Sequence, residues 1–384
     1  MRKFFVRLLC CFIPSRDLRH TIRQRLSQKN TVFLSDIEPY RVQDNHFIIF
    51  SYSKAIHHPT TTNICLNMGD YVQSVATKLV IKKLFKQPVF KYEDRDDIIN
   101  FQDNKKISYI TIYQGFFPSG NLWLPNKYIY PVFIGFHLGG GMEYLQQENG
   151  SETIFKRFYN ANKEYFSAKT IGCRDKRTLV FCQKLGLTAY FSRCLTLTLP
   201  KRVEAKTQTK VFVSVFPSIF DSVMDLCNSR GISDVEISTA EVNLDDYKDD
   251  NYKSVCKHDF MPDCEQYLEK FKNEARLVIT DRIHVATPCI AMGIPTVVIK
   301  RSENDPRYDI FDGIVKCYSE KELLNKEIDL DVAAPDIEKL KNYMIENVNL
   351  TIKDEVYNSL NKQEKQRLQF IRQQIAEFQV GDKE

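Results

Sequence analysis

The chain has 384 residues, 43% hydrophobic and 27% charged, with 26 Phe and 19 Tyr, a composition that excludes a solvated coil. Its 14 Gly and 14 Pro are too few for a collagen-like or low-complexity chain, and its length exceeds the ~250–300 residues at which one core stops growing. The 54 Lys and Arg against 49 Asp and Glu leave a net charge of +5, too small a surplus to argue for a nucleic-acid partner.

Residues 1–26, MRKFFVRLLCCFIPSRDLRHTIRQRL, hold seven Arg and Lys against a single acid, Asp17. The apolar stretch Leu8–Ile13 is far shorter than the ~20 residues of a spanning helix, and no small-residue cleavage site follows it. Phe4, Phe5, Leu8, Leu9 and Phe12 share one face of a basic amphipathic element that Pro14 interrupts. Such a segment suits the anionic inner face of a membrane, or docks on the protein's own body.

Beyond residue 30 strand and helix alternate. Phe47–Phe50 reads as a buried strand, and Tyr71–Phe85 as a helix with Val72, Val75, Ala76, Leu79 and Val80 on one side. Ile107–Ile112 and Val132–Phe136 are strand-like, Glu152–Ser167 is helical, and a helix over Thr178–Leu185 ends at Gly186. The polar residues 201–209 follow Pro200 and are the best linker. A second alternating block has strands at Val211–Val215, Val235–Ser238, Leu277–Thr280 and Pro295–Ile299. Its helices are expected at Ile219–Cys227, Cys264–Glu274 and His284–Met292. Two such blocks predict two Rossmann-like α/β domains, each with a parallel sheet, facing a cleft lined by the carboxyl ends of the strands. The expected divisions are a basic segment 1–30, an acceptor-side domain 31–200, a donor-side domain 210–335 and a helical segment 336–384. The 11 Cys are scattered with no zinc spacing, which fits buried free thiols in a reducing cytoplasm.

Three places combine strand ends, glycine and charge. Asn67-Met68-Gly69-Asp70 opens a helix, so its backbone N–H groups can face an anion, or Asp70 is simply the cap. Ile171-Gly172-Cys173-Arg174-Asp175-Lys176-Arg177 puts Arg174 at a strand end, suited to bidentate recognition of phosphate or carboxylate, with Asp175 capping the next helix or orienting Arg174. The last is Thr280-Asp281-Arg282-Ile283-His284. Here Arg282 and His284, two apart, are expected on one side of an extended turn, an imidazole beside a guanidinium that can serve as an acid. Lys300, Arg301 and Arg307 bring more cations to the same rim.

At these residues the chain resembles the polysaccharide pyruvyl transferase family. The likeness runs over about residues 60–310, through NMGD at 67–70, PVFIGFH at 131–137, IGCRDKRT at 171–178, SRCLTLTLP at 192–200 and TDRIHVATPCIAMGIP at 280–295. It implies a fold like the two-domain B-type glycosyltransferases. It also implies transfer of the enolpyruvyl group of phosphoenolpyruvate onto two hydroxyls of a sugar, giving a cyclic pyruvate ketal and phosphate. By the resemblance His284 is the general acid, and Arg174 and Arg282 hold the donor's anionic groups. No cofactor is implied beyond the donor substrate, and no metal, because side-chain cations can neutralise the phosphate. Some members carry a lysine in a YDPK-like stretch after the Gly-x-Pro strand. Here IKRSENDPRYDIF leaves the donor contact open between Lys300 and Arg307. Asp70, Gln73 and His137 are the candidates on the acceptor side.

The expected setting is cytoplasmic, peripheral at the inner face of the cytoplasmic membrane, with a lipid-linked or nucleotide-linked sugar of a cell-surface polysaccharide as acceptor. The competing readings are a B-type glycosyltransferase using a nucleotide sugar in capsule or lipopolysaccharide synthesis, and a non-catalytic scaffold of a polysaccharide assembly.

Overall fold

The structure is a computed structural model that describes residues 38–52, 56–57, 64–95, 98–117, 126–139, 150–204, 206–243 and 259–381. The basic amino-terminal segment, and with it the expected membrane contact, lies outside the described residues. Within them, no helix is long and apolar enough to cross a membrane.

The first half of the chain gives β1 (Val42–Ser51), β2 (Ile56–His57), β3 (Ile64–Asn67), α1 (Met68–Leu84), β4 (Val89–Asp94), β5 (Ser108–Phe117) and β6 (Ile129–Leu138). There follow α2 (Ser151–Ala161), α3 (Lys163–Ser167), β7 (Thr170–Cys173), α4 (Lys176–Lys184) and β8 (Thr188–Phe191). Six of these strands form a parallel sheet in the order β4-β1-β5-β6-β7-β8. Its central strands are apolar on both faces, because helices cover both sides: Phe47–Phe50 and Val132–Phe136 are all buried. The edge strand β4 is only half-buried, and its VFKYED sequence carries no such run. The single helix expected over Glu152–Ser167 is instead two. Asn162 breaks it, since its side-chain amide donates to the Phe158 carbonyl (3.0 Å) and takes the backbone out of the helical region, with ψ at +39°.

The second half gives β9 (Lys210–Ser214), α5 (Pro217–Ser229), β10 (Val235–Ile237), β11 (Glu241–Asn243), α6 (Met261–Glu274), β12 (Ala275–Thr280), α7 (Ile283–Ala291) and β13 (Thr296–Ile299). After a 3-10 turn over Pro306–Phe311 come β14 (Cys317–Tyr318), α8 (Glu320–Leu324), α9 (Glu338–Glu355) and α10 (Lys362–Glu377). The second parallel sheet has the order β10-β9-β12-β13-β14. The expected α/β architecture with two parallel sheets is therefore what the chain adopts.

Three features join the halves. β11 of the second half pairs antiparallel with β3, which also pairs with β2, and the Met68 N–H donates to the Ala240 carbonyl (2.8 Å). α1 packs against α6 and α7. The last two helices return to the first sheet: Tyr130 donates to the Glu355 carbonyl, and Asn347 donates to the Tyr190 hydroxyl (2.8 Å). One apolar core accordingly runs from Phe47 through Ile283 and Val348 to Ile375, and a smaller one fills the space between the second sheet, α5 and α8. Arg193 stitches the same junction. Wholly buried, with φ +58°, it donates to the carbonyls of Ile310 (2.8 Å), Asp312 (2.8 Å) and Ile375 (2.9 Å). Cys173, Cys182, Cys194, Cys227, Cys264 and Cys289 are buried free thiols, and Cys317 is a half-buried one.

Candidate active site

Four chain segments meet between the two sheets. The first is the start of α1. Asn67 caps it, its side-chain oxygen accepting from the Gly69 N–H at 3.0 Å, so the cap lies three residues before Asp70, which sits in the first turn. Gly69 is pressed against His284: a Cβ there would lie 2.9 Å from His284 Cβ and 3.2 Å from its Nδ1. One turn on, the wholly buried Gln73 donates to Asp70 at 3.2 Å.

The second and third segments are the neighbouring ends of β6 and β7, where the Arg174 N–H donates to the Phe136 carbonyl at 2.8 Å. This pairing sets His137 and Arg174 side by side, at the end of the sheet where α/β proteins bind ligands. Asp175 caps α4 by accepting from the Thr178 N–H (2.8 Å) and hydroxyl (2.8 Å), and it accepts from His137 Nδ1 at 2.6 Å. Both members of the His137–Asp175 pair are buried. Burial would raise the Asp175 carboxyl, but His137, the Thr178 N–H and Arg174 together hold it down at about 2. Burial and the charge of Arg174 bring the His137 imidazole down to about 4, against the pull of Asp175.

The fourth segment is the turn from β12 into α7. Arg282 is the N-cap residue and the helix begins at Ile283. Residues two apart on a helix point roughly 200° away from each other, so Arg282 and His284 do not share a face, contrary to the expectation of an extended turn. Arg282 turns to Glu241 of β11 (3.0 Å) and lies 4.5 Å from the centre of the Phe216 ring, on which Arg301 also stacks at 3.5 Å. Arg301 in turn donates to Asp281 at 3.0 Å. His284 points the other way: its Nε2 is 3.4 Å from Arg174 Nη1 and 4.0 Å from the Cys194 thiol. Burial first, then Arg174, His137 and Arg307, hold the His284 imidazole well below its ordinary value, so it is neutral at neutral pH.

Of the two cations left open after β13, Arg307 is the one whose charge bears on both His284 and Arg174. It forks onto Asp305, with Nε 2.9 Å from one carboxylate oxygen. Lys300 lines a neighbouring cavity of 390 Å³ with Arg177, Asp305, Tyr308 and Asp309. The site therefore unites His284, Arg174, Arg307, His137 and the Gly69–Asp70 helix start, and leaves Arg282 and Lys300 on its flanks. Cys194 and Glu241 escaped sequence reading. Cys194 lies inside the quoted SRCLTLTLP motif, but nothing in a cysteine between two ordinary residues points at a distant histidine.

The pairing of Arg174 with His284 joins the two motifs on which the resemblance rests, and residues 67–303, more than half the chain, match the profile of the family described as polysaccharide pyruvyl transferase. The chain belongs to that family. A polysaccharide pyruvyl transferase is a transferase that acts on polysaccharide. Among curated proteins no sequence matches. Solved structures similar to this family member include a functionally uncharacterised protein of Klebsiella pneumoniae (13% identity, 69% of this chain and 88% of that one, TM-score 0.35). Others are MnaA of S. aureus in complex with UDP (8% identity, 75% and 87%, TM-score 0.38) and the wall teichoic acid polymerase TagF (12% identity, 97% and 98%, TM-score 0.37).

Proposed function

We propose that the protein transfers the enolpyruvyl group of phosphoenolpyruvate to a sugar of a cell-surface polysaccharide precursor, forming a cyclic pyruvate ketal. The observation that carries this reading is the 3.4 Å approach of Arg174, just past β7 of the first sheet, to His284, at the start of the helix after β12 of the second, with Arg307 acting on both. A three-carbon donor with a phosphate and a carboxylate needs guanidinium groups on its anions and an acid at its methylene carbon.

Arg174 and Arg307 hold the anionic groups, and Arg282 joins them only by leaving Glu241. Burial, and after it the charges of Arg174 and Arg307, keep His284 neutral while no anion is bound beside it. A bound trianion between Arg174 and the imidazole reverses the local field and favours the imidazolium, so the donor itself charges the acid that protonates it. Protonation of the methylene carbon makes C2 an oxocarbenium-like centre, which one sugar hydroxyl attacks before a second displaces phosphate. Asp70 and Gln73 stand beside the site as acceptor contacts. The acceptor is lipid-linked or nucleotide-linked, and residues 1–26 hold the enzyme near a lipid-linked one.

The test is incubation of the purified full chain with phosphoenolpyruvate and a panel of lipid-linked and p-nitrophenyl glycosides bearing free vicinal or 1,3-diols. Phosphate release with a matching mass gain on the sugar is expected, and His284→Ala is expected to abolish it while remaining folded. Stabilisation by nucleotide sugars alone, with no phosphate released from phosphoenolpyruvate, would instead make the protein a glycosyltransferase.

A further inference from the structure

The acid at His284 accounts for one proton of the reaction, but each attacking hydroxyl must also lose one. We propose that His137, oriented by Asp175, is the general base that takes the proton of the first attacking sugar hydroxyl; this rests on the donor reading above. The geometry distinguishes the pair from an ordinary helix cap. One oxygen of Asp175 accepts from the Thr178 N–H, which completes the cap, while the other accepts from the Thr178 hydroxyl and from His137 Nδ1 at 2.6 Å. A cap has no need of an imidazole. A carboxylate held on Nδ1 fixes the tautomer that leaves the lone pair on Nε2, the arrangement of a base with its orienting group. The groups whose charges face this ring are Arg174, Asp175, Arg177, His284 and Asp305. Three of them belong to the site already described or to Arg307's partner, so the ring borders the donor's place.

The proton count closes on the two imidazoles. In the first step His284 gives its proton to C3, the C2–O(sugar) bond forms, and His137 takes the hydroxyl proton, leaving a phosphate-bearing tetrahedral C2. In the second step the other hydroxyl gives its proton to the now neutral His284. His137 returns its proton to the bridging oxygen as the C2–O(phosphate) bond breaks. Each ring ends as it stood in the donor-loaded site, and the proton His284 takes up from solvent on donor binding is given back when phosphate leaves, with no oxidant or reductant required. Asp175 is a positioning residue throughout.

The experiment measures phosphoenolpyruvate-dependent transfer against pH for the full chain and for His137→Gln and Asp175→Asn, using the same glycoside panel. With active wild type, His137→Gln is expected to lower kcat at least 100-fold, to leave KM for phosphoenolpyruvate within about threefold, and to erase the acid limb of the rate profile. Asp175→Asn is expected to move that limb. Wild-type activity with His137→Gln within tenfold, or with its acid limb retained, overturns the base and leaves the donor reading intact. Should His137→Gln not fold, Asp175→Asn decides, and an unmoved limb counts against the pair. Wild type that releases no phosphate from phosphoenolpyruvate removes the donor reading and the base together.

Discussion

At the scale of single residues, the space around Gly69 makes a clear test. Alanine favours a helix over glycine by up to ~1 kcal/mol, so on local grounds Gly69→Ala is stabilising. The added methyl would stand 2.9 Å from His284 Cβ, an atom fixed to the α7 backbone, so α1 and α7 have to part slightly and carry the ring with them. The expected result is a lowered thermal midpoint together with transfer reduced ten- to a hundredfold; full activity would show that the ring's position is not critical. The two histidines make a second test. Both imidazoles have folded values below the ordinary one, His137 at about 4. As pH falls below ~6.5 the unfolded chain therefore takes up protons that the folded chain refuses. For His137 stability is full above that value and drains away down to about pH 4, by roughly 1.4 kcal/mol per pH unit, and His284 adds a loss of the same sign. Urea midpoints at pH 7.5 and 5.0 should show the loss, and His137→Gln should shrink it. Arg174 and His284 were legible in the sequence, since glycine, a cation and a strand end declare themselves locally. The direction of Arg282 was not, because it depends on whether the helix starts at residue 283 and on Glu241, 41 positions away.

At the scale of elements, the apolar strands and long helices were legible through their periodicity, and the break at Asn162 was not, since the competing amide bond leaves no mark in that pattern. The edge strands β4 and β8 were missed for other reasons: β4 is half-buried with charges in its VFKYED run, and β8 is only four residues long. Arg193 shows what joins elements that sequence reading treats as separate. Its guanidinium serves the 3-10 turn at Ile310, the following Asp312, and α10 at Ile375. Arg193→Ala leaves three carbonyls without that donor and a cavity beside them, and should cost about 3 kcal/mol or more in urea unfolding. A loss below about 1 kcal/mol would mean that water replaces the guanidinium.

At the scale of the whole molecule, the two parallel sheets could be foreseen from the order of elements, but not the way the chain closes on itself. α9 and α10 cross back to the first sheet, where Glu355 accepts from the Thr170 N–H at 3.2 Å and Tyr130 donates to its carbonyl. Helical periodicity reveals that these segments are helices; only packing says which surface they cover. Because Arg174 follows β7 of the first sheet and His284 opens the helix after β12 of the second, their approach exists only when both halves have folded and met. A partly assembled or sprung-apart molecule has an imidazole with no guanidinium opposite it. On the proposed reading such a molecule could not protonate the donor and lose it to water, so the architecture would double as a safety interlock.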